Sequence, residues 1–186
     1  MSTSFKNHFL IAMPSLLDPN FFRSVTYLCE HNSEGATGIV INQPLPSIRL
    51  NDILEQIGIH TAYPEVANRV VFNGGPVQKD RGFILHSSNT VWNSTLKVSQ
   101  QISLTTSPDI LKAIAQNQGP THALIALGYA HWQAGQLEQE LAANTWLYGP
   151  ANFDILFYMA IEHRWRAAAT AMGVDINRLS SDIGHA

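Results

Sequence analysis

At 186 residues and 20.5 kDa, the chain can bury about two-thirds of the surface its unfolded form exposes, enough for one full core and not for two. Hydrophobic residues make up 45% of it and charged residues only 13%, about half the usual charged fraction, so the surface relies on neutral polar side chains or is partly covered by a partner. Eleven Lys and Arg against fourteen Asp and Glu leave a formal charge of -3, and the one close basic group, HRWR at 163–166, is too small a footprint for a phosphate backbone, so direct nucleic-acid binding is not expected.

HFLIAM at 8–13 is a short apolar run stopped by Pro14, too short for the core of a secretory signal. SVTYLCEH at 24–31 and TGIVINQP at 37–44 carry the β-branched and aromatic residues that favour strands. HNSEG at 31–35 between them has the composition of a hairpin turn. Cys29 is the only cysteine, which excludes an intramolecular disulfide and a zinc site built on several thiolates, and fits a reducing cytoplasm. In an unbroken strand it shares a face with His31 at roughly 6–7 Å, too far for the hydrogen bond that activates a thiolate. A buried structural thiol is the expected role.

RLNDILEQIG at 49–58 predicts a short helix capped by Asn51 and closed by Gly58. RVVFNGGPV at 69–77 and RGFILHSS at 81–88 read as strands, close enough across QKD to pair as antiparallel neighbours. Gly74 and Gly75 offer amides that suit an anion cradle or a tight turn; without GxGxxG or GK[ST] spacing, the turn is favoured. QISLTT at 101–106 alternates as a half-buried strand, and SPDILKAIAQNQG at 107–119 follows as a helix with Ser107 as cap.

THALIALGYA at 121–130 is continuously apolar and predicts a central strand covered on both faces. In LGYAHWQAGQLEQEL at 127–141, Gly128 is read as the end of that strand, Gly135 as a turn, and QLEQEL as a short helix with Leu137 and Leu141 facing inward. ANFDILFYMAIEHRWRAAATAMG at 151–173 predicts the longest helix; its apolar run is broken by Glu162 after far fewer than the ~20 residues needed to cross a bilayer, so no membrane span is expected. Residues 174–186 are read as a peripheral tail that either wraps back through Val174, Ile176 and Leu179 or frays. With no repeat or linker dividing the chain, strands interleaved with helices predict one α+β domain, a mixed sheet with helices packed on it.

The histidines form neither HExxH nor a close pair, and no motif implies a metal or cofactor. His31, Asn32, Asn42 and His86 would supply a base and neutral hydrogen-bond donors if the fold brings them together. His131, Trp132, Gln136 and Glu138 would line a groove at the 127–141 corner. With Gly74 and Gly75, these are the candidate ligand or interaction residues.

FLIAMP with Leu16, Asp18 and Phe21 or Phe22 behind it, SVTYLCEHNSEGATGIVINQP, FNGGPVQKDRGFILH, LTTSPDIL and LGYAHWQAGQLEQELAANTWL occur in this order. Together they resemble the YqgE/AlgH family, also grouped as DUF179 or UPF0301, over nearly the whole chain. The resemblance implies a single compact α+β domain with a mixed, strongly curved sheet flanked by helices. It also carries a transcriptional-regulator label, which no DNA-binding module here supports, and it transfers no enzyme mechanism. Gln43 stands where family members commonly carry arginine, which weakens an anion-binding role for that loop. The leading expectation is a non-enzymatic cytoplasmic protein acting in regulation through an unidentified protein partner; the alternative is a small-molecule-binding protein or hydrolase using His31, Asn32, Asn42 and His86.

Overall fold

The computed structural model describes residues 3–183. Its organising strand is β9 (Ala123–Gln133), the continuously apolar run, which pairs antiparallel with β6 (Val77–Ser87) along one edge. Along the other edge it pairs first with β5 (Val70–Asn73), in parallel, and then with β3 (Gly35–Val40), antiparallel. From β3 the sheet continues through β2 (Val25–Asn32) and β1 (His8–Ala12) to β10 (Trp146–Pro150). From β6 it continues through β8 (Ile102–Thr105) to β7 (Thr95–Lys97), while β4 (Pro44–Arg49) pairs with β5. The sheet is therefore mixed, and it curls into a half-barrel.

Each face buries its own core. On the first face Ile11, Tyr27, Ile39, Phe83 and Leu85 pack with Leu156, Trp165 and Ala168, which belong to α5 (Phe153–Phe157) and α6 (Arg164–Ala171). On the second face α1 (Leu50–Gln56), α2 (Pro64–Ala67) and α3 (Asp109–Ala115) set Leu54, Val66 and Ile110 against Val71, Ile84 and Ile125. Beside them α4 (Gln136–Ala142) sets Leu137 against Leu10, Leu28 and Trp132. Each such fully buried aliphatic side chain contributes about 1.5–3 kcal/mol. The tail forms α7 (Ile176–Ile183), anchored by buried Ile176; its last residues, 184–186, lie outside the described residues.

The β2–β3 hairpin at 31–35, the central place of β9 and the inward Leu137 agree with the sequence reading. Five details differ, one of them the cap of α3: Pro108 rather than Ser107 stands at its N-cap, and the Ser107 hydroxyl donates to the Asp109 carboxylate instead. The strands at 70–73 and 77–87 do not pair with each other but flank β9. The connecting Gly74–Gly75 passes directly over β9: the Gly74 amide donates to the Leu127 carbonyl, and the Val40 amide donates to the Gly74 carbonyl. A Cβ on Gly74 would lie 2.3 Å from the Gly128 carbonyl oxygen, and one on Gly75 2.1 Å from the Tyr129 carbonyl carbon.

Gly128 does not end the strand. At φ 80 it bends β9, so that Leu124, Ala126 and then Tyr129 all pack on the first face, where strict alternation would put Tyr129 on the second. The helix predicted over 151–173 is interrupted between α5 and α6: the amides of Tyr158 and Met159 both turn back to the Asp154 carbonyl, and a 3-10 turn, Ile161–His163, follows. The break is held by Arg164, only 6% exposed, whose Nε donates to the Met159 carbonyl and whose Nη1 donates to the Ile41 carbonyl across the core. Finally, α1 is capped by Asp52 rather than Asn51; the Asp52 carboxylate accepts from the Arg49 amide, while Gly58 takes the expected left-handed φ of 72.

Candidate functional site

The helices leave part of the first face uncovered, and there a cleft of about 490 Å³ opens between β2, β3, β9, β6, β7 and β8. This lies within the range of small-molecule sites. Its apolar lining comes from Cys29, Ile39, Phe83, Leu96, Leu104 and Tyr129, all members of the first-face core. Its polar lining comes from Glu30, Thr37, Gln78, Arg81, Asn93, Ser94, Thr95 and Thr106.

Two bulges shape it. In β2 the pairing steps from Leu28↔Gly38 to Glu30↔Thr37, leaving Cys29 as the extra residue, so that Cys29 and Glu30 both line the cleft and His31 falls on the second face beside α4. A bulge re-aims side chains in this way, and it places Cys29 and His31 on opposite faces rather than the same one. In β6, Val77 pairs with Tyr129 but the next pair is Gly82↔Leu127. Residues 78–81, the predicted QKD connection and the first residue of the strand expected after it, therefore bulge from the pairing with β9 and bring Gln78 and Arg81 to the cleft wall. Gln78 holds φ at 48, a conformation that costs a non-glycine residue about 1–2 kcal/mol. Arg81 lies over the Phe83 ring at 5.6 Å.

The cleft holds no activated nucleophile from Cys29: the thiol is 1% exposed, donates weakly to the Tyr27 carbonyl at 3.7 Å, and burial pushes its pKa far up. A thiol raised in this way is inert at neutral pH.

The sequence-predicted residues fall in five places. Asn42 sits at the far end of β3, where its side chain accepts from the Val25 amide and donates to the Arg23 carbonyl; along β2 that is roughly 20 Å from His31. His86 is fully buried. Its Nδ1 bonds the Ser87 carbonyl and its Nε2 the Thr105 hydroxyl, and desolvation lowers its pKa, so the ring stays neutral with Nδ1–H donating and Nε2 accepting. Gly74 and Gly75 form the chain crossing, with their amides committed to Leu127 and to Asn73 Oδ1.

The others gather at the α4 end of the second face. The Phe5 amide donates to His31 Nδ1, which leaves Nε2–H to donate to Glu138 at 2.5 Å. Asn32 caps the hairpin turn through the Glu34 amide. Trp132 and Trp146 both donate their indole N–H to Glu140 Oε1, and Gln136 donates to Oε2. This cluster ties α4, the N-terminal segment and the hairpin together. His31 and His86 thus each have both ring nitrogens engaged, and they are not brought together with Asn42. His131 is the exception: the register Glu30↔Thr37↔His131 sets three side chains in one row across β2, β3 and β9, and directly opposed residues share a face, so exposed His131 stands at the rim of the cleft.

The hydrogen bond from His31 holds the Glu138 carboxyl below its ordinary value of 4.5. A depressed carboxyl stabilises the fold fully above its unfolded pKa, and that stability is lost as pH falls through the folded one. Glu138→Gln is therefore expected to narrow its stability gap to wild type as pH drops below about 4.5, read by urea unfolding at a series of pH values; a gap that widens in acid would contradict the contact.

Thr37, Gln78, Arg81 and Phe83 are not singled out by sequence reasoning, and Glu30 and Tyr129 only within their motifs, not as neighbours in one cavity. Their motifs, EHN and GGPVQKDRGF, were visible, but which of their side chains share a cavity depends on two bulges and the crossing over Gly128.

The AlgH-like family (DUF179) matches residues 9–177 of the chain. A UPF0301 protein of Thioalkalivibrio sulfidiphilus is 55% identical over 185 residues, covering 100% of this chain and 98% of that one. One from Nitrosococcus oceani is 54% identical over 182 residues, covering 98% and 97%. The solution structure of the AlgH protein from Pseudomonas aeruginosa superposes with a TM-score of 0.81 at 48% identity, covering 97% and 95% of the two chains. A Corynebacterium diphtheriae crystal structure, DIP2367, shares the fold alone, at 16% identity and a TM-score of 0.74. The chain therefore belongs to the AlgH-like UPF0301 family, in sequence over nearly its full length and in the curled sheet that forms the cleft.

Proposed function

We propose that this chain is a non-enzymatic cytoplasmic binding protein whose first-face cleft takes a small organic molecule. The observation that carries the reading is the cleft itself: an apolar floor with convergent polar groups, shaped by two bulges in the sheet. Against a hydrolase stand the engaged nitrogens of His31 and His86 and the inert Cys29 thiol. The buried, reduced thiol suits the cytoplasm. Filling the space tests the reading: fragments that raise the melting temperature of wild type are expected to leave Thr37→Trp unmoved, and equal shifts in both proteins would contradict it.

A protein contact is the second reading, favoured by Leu17 and Phe22, 73% and 45% exposed on one loop. Wild type is expected to crosslink a partner that Leu17→Asp does not; identical crosslinking would dismiss this loop. Direct DNA binding is not proposed. Of the HRWR group, Arg164 and Trp165 are buried, which removes half of the only basic cluster from the surface. Fluorescence anisotropy at near-physiological salt is expected to show no sequence-selective DNA binding below micromolar concentrations; such binding by the pure protein would overturn this view.

A further inference from the structure

The two charges lining the cleft are left unused by the fold. Arg81 rests on the Phe83 ring, and among the described residues its one side-chain hydrogen bond, to Gln78 Oε1, is 3.4 Å long, beyond the usual range. Glu30 makes no ion pair among the described residues, where the only pair is His31 with Glu138. Both line the same cleft from strands three apart in the order β2-β3-β9-β6, roughly 14 Å between backbones on a flat sheet and less on a curled one. They do not close on each other. On the strands between them lie Ile39 and Tyr129, with Phe83 beside Arg81 on its own strand.

Resting on the reading of the cleft as a ligand site, we infer that its ligand is a zwitterion of dipeptide size, with its carboxylate on Arg81, its ammonium on Glu30 and an apolar side chain on the floor between them. A guanidinium meets a carboxylate through two parallel N–H···O bonds, stronger than neutral ones. A two-residue extended chain spans about 7 Å, less than the backbone separation by about the length that the Arg81 and Glu30 side chains can cover. Thr37 and Asn93 supply neutral hydrogen-bonding groups for the peptide unit. A phosphate or other polyanion fits less well, because it would meet one cation and be opposed by Glu30 and by a chain of net charge -3.

The test uses alanyl-phenylalanine and three matched probes: its N-acetyl form, its C-terminal amide and the doubly capped peptide. Each is titrated into the full chain while amide chemical shifts are followed. The free dipeptide is expected to bind tightest, each cap weakening it about 10-fold, as loss of one charged hydrogen-bonding partner does. Arg81→Gln is expected to abolish discrimination against the amide only, and Glu30→Gln discrimination against the acetyl form only. Both side chains are exposed, so folding is expected to survive, and the unchanged spectrum away from the cleft checks it. If all four probes bind the cleft alike, the cleft reading stands and the zwitterion is overturned. If the acetyl form binds as well as the free dipeptide, the site reads the C-terminus of a longer chain and the zwitterion is again overturned. If none shifts a cleft resonance, both readings are contradicted.

Discussion

Replacing Gly75 with alanine is expected to cost more than about 4 kcal/mol or to prevent folding, a loss reserved for strain or clash that cannot relax. The new methyl would sit 2.1 Å from the Tyr129 carbonyl carbon and 2.4 Å from the Ala130 amide nitrogen, both backbone atoms of the central strand. Neither can move without opening the β9 pairing with β3 and β6 that begins beside them. At φ 153 the residue also holds a conformation that L side chains avoid. Gly58→Ala is the matched control: it too has positive φ, but nothing lies within 4 Å of the added methyl, so about 1 kcal/mol is expected. Urea unfolding of the two variants compares them directly, and similar losses in both would mean that the crossing over Gly128 is looser than described.

Arg164→Ala is expected to destabilise by about 2–5 kcal/mol, the combined size of two buried carbonyls left without a donor and the cavity left by the side chain. The guanidinium bridges the Met159 and Ile41 carbonyls at 3.1 and 2.5 Å and lies 5.3 Å from the centre of the Phe72 ring. Removing it leaves acceptors without partners in the core and a cavity beside Phe72. Burial depresses the pKa of the guanidinium, but an arginine's ordinary pKa is so high that the group stays charged at neutral pH. Arg164→Lys is expected to recover little, because an ammonium cannot present two donors in the same fixed fork. Urea unfolding that finds Arg164→Ala within 1 kcal/mol of wild type would show that the break between α5 and α6 does not depend on this side chain.

These two residues also mark where the sequence could be read and where it could not. The apolar run of β9, the hairpin at 31–35 and the Leu137 face of α4 were legible because each follows from local periodicity or turn composition. The interrupted helix was not: residues 157–161 contain neither proline nor glycine, and Arg164 could be recognised as buried only once Ile41, 123 positions away in the chain, was known to accept from it. The same holds for the cleft. GGP and QKD look like one turn followed by another, and only the register along β9 shows that the first is a crossing and the second a bulge facing Glu30's side of the sheet. His31 and His86 drew notice as titratable groups, yet their chemistry is spent on the Phe5 amide, Glu138, the Ser87 carbonyl and Thr105. His131 alone among the predicted side chains stands in the row that reaches the cleft.

The most direct test of the cleft as the functional site is a map of amide chemical shifts as the small-molecule fraction of a host-cell extract is added to the labelled protein. The expected result is a set of concentration-dependent shifts confined to β2, β3, β6 and β9 around Glu30, Thr37, Arg81, Phe83 and Tyr129. Shifts centred instead on the His31–Glu138 cluster or around buried His86, with the cleft resonances unmoved, would contradict it.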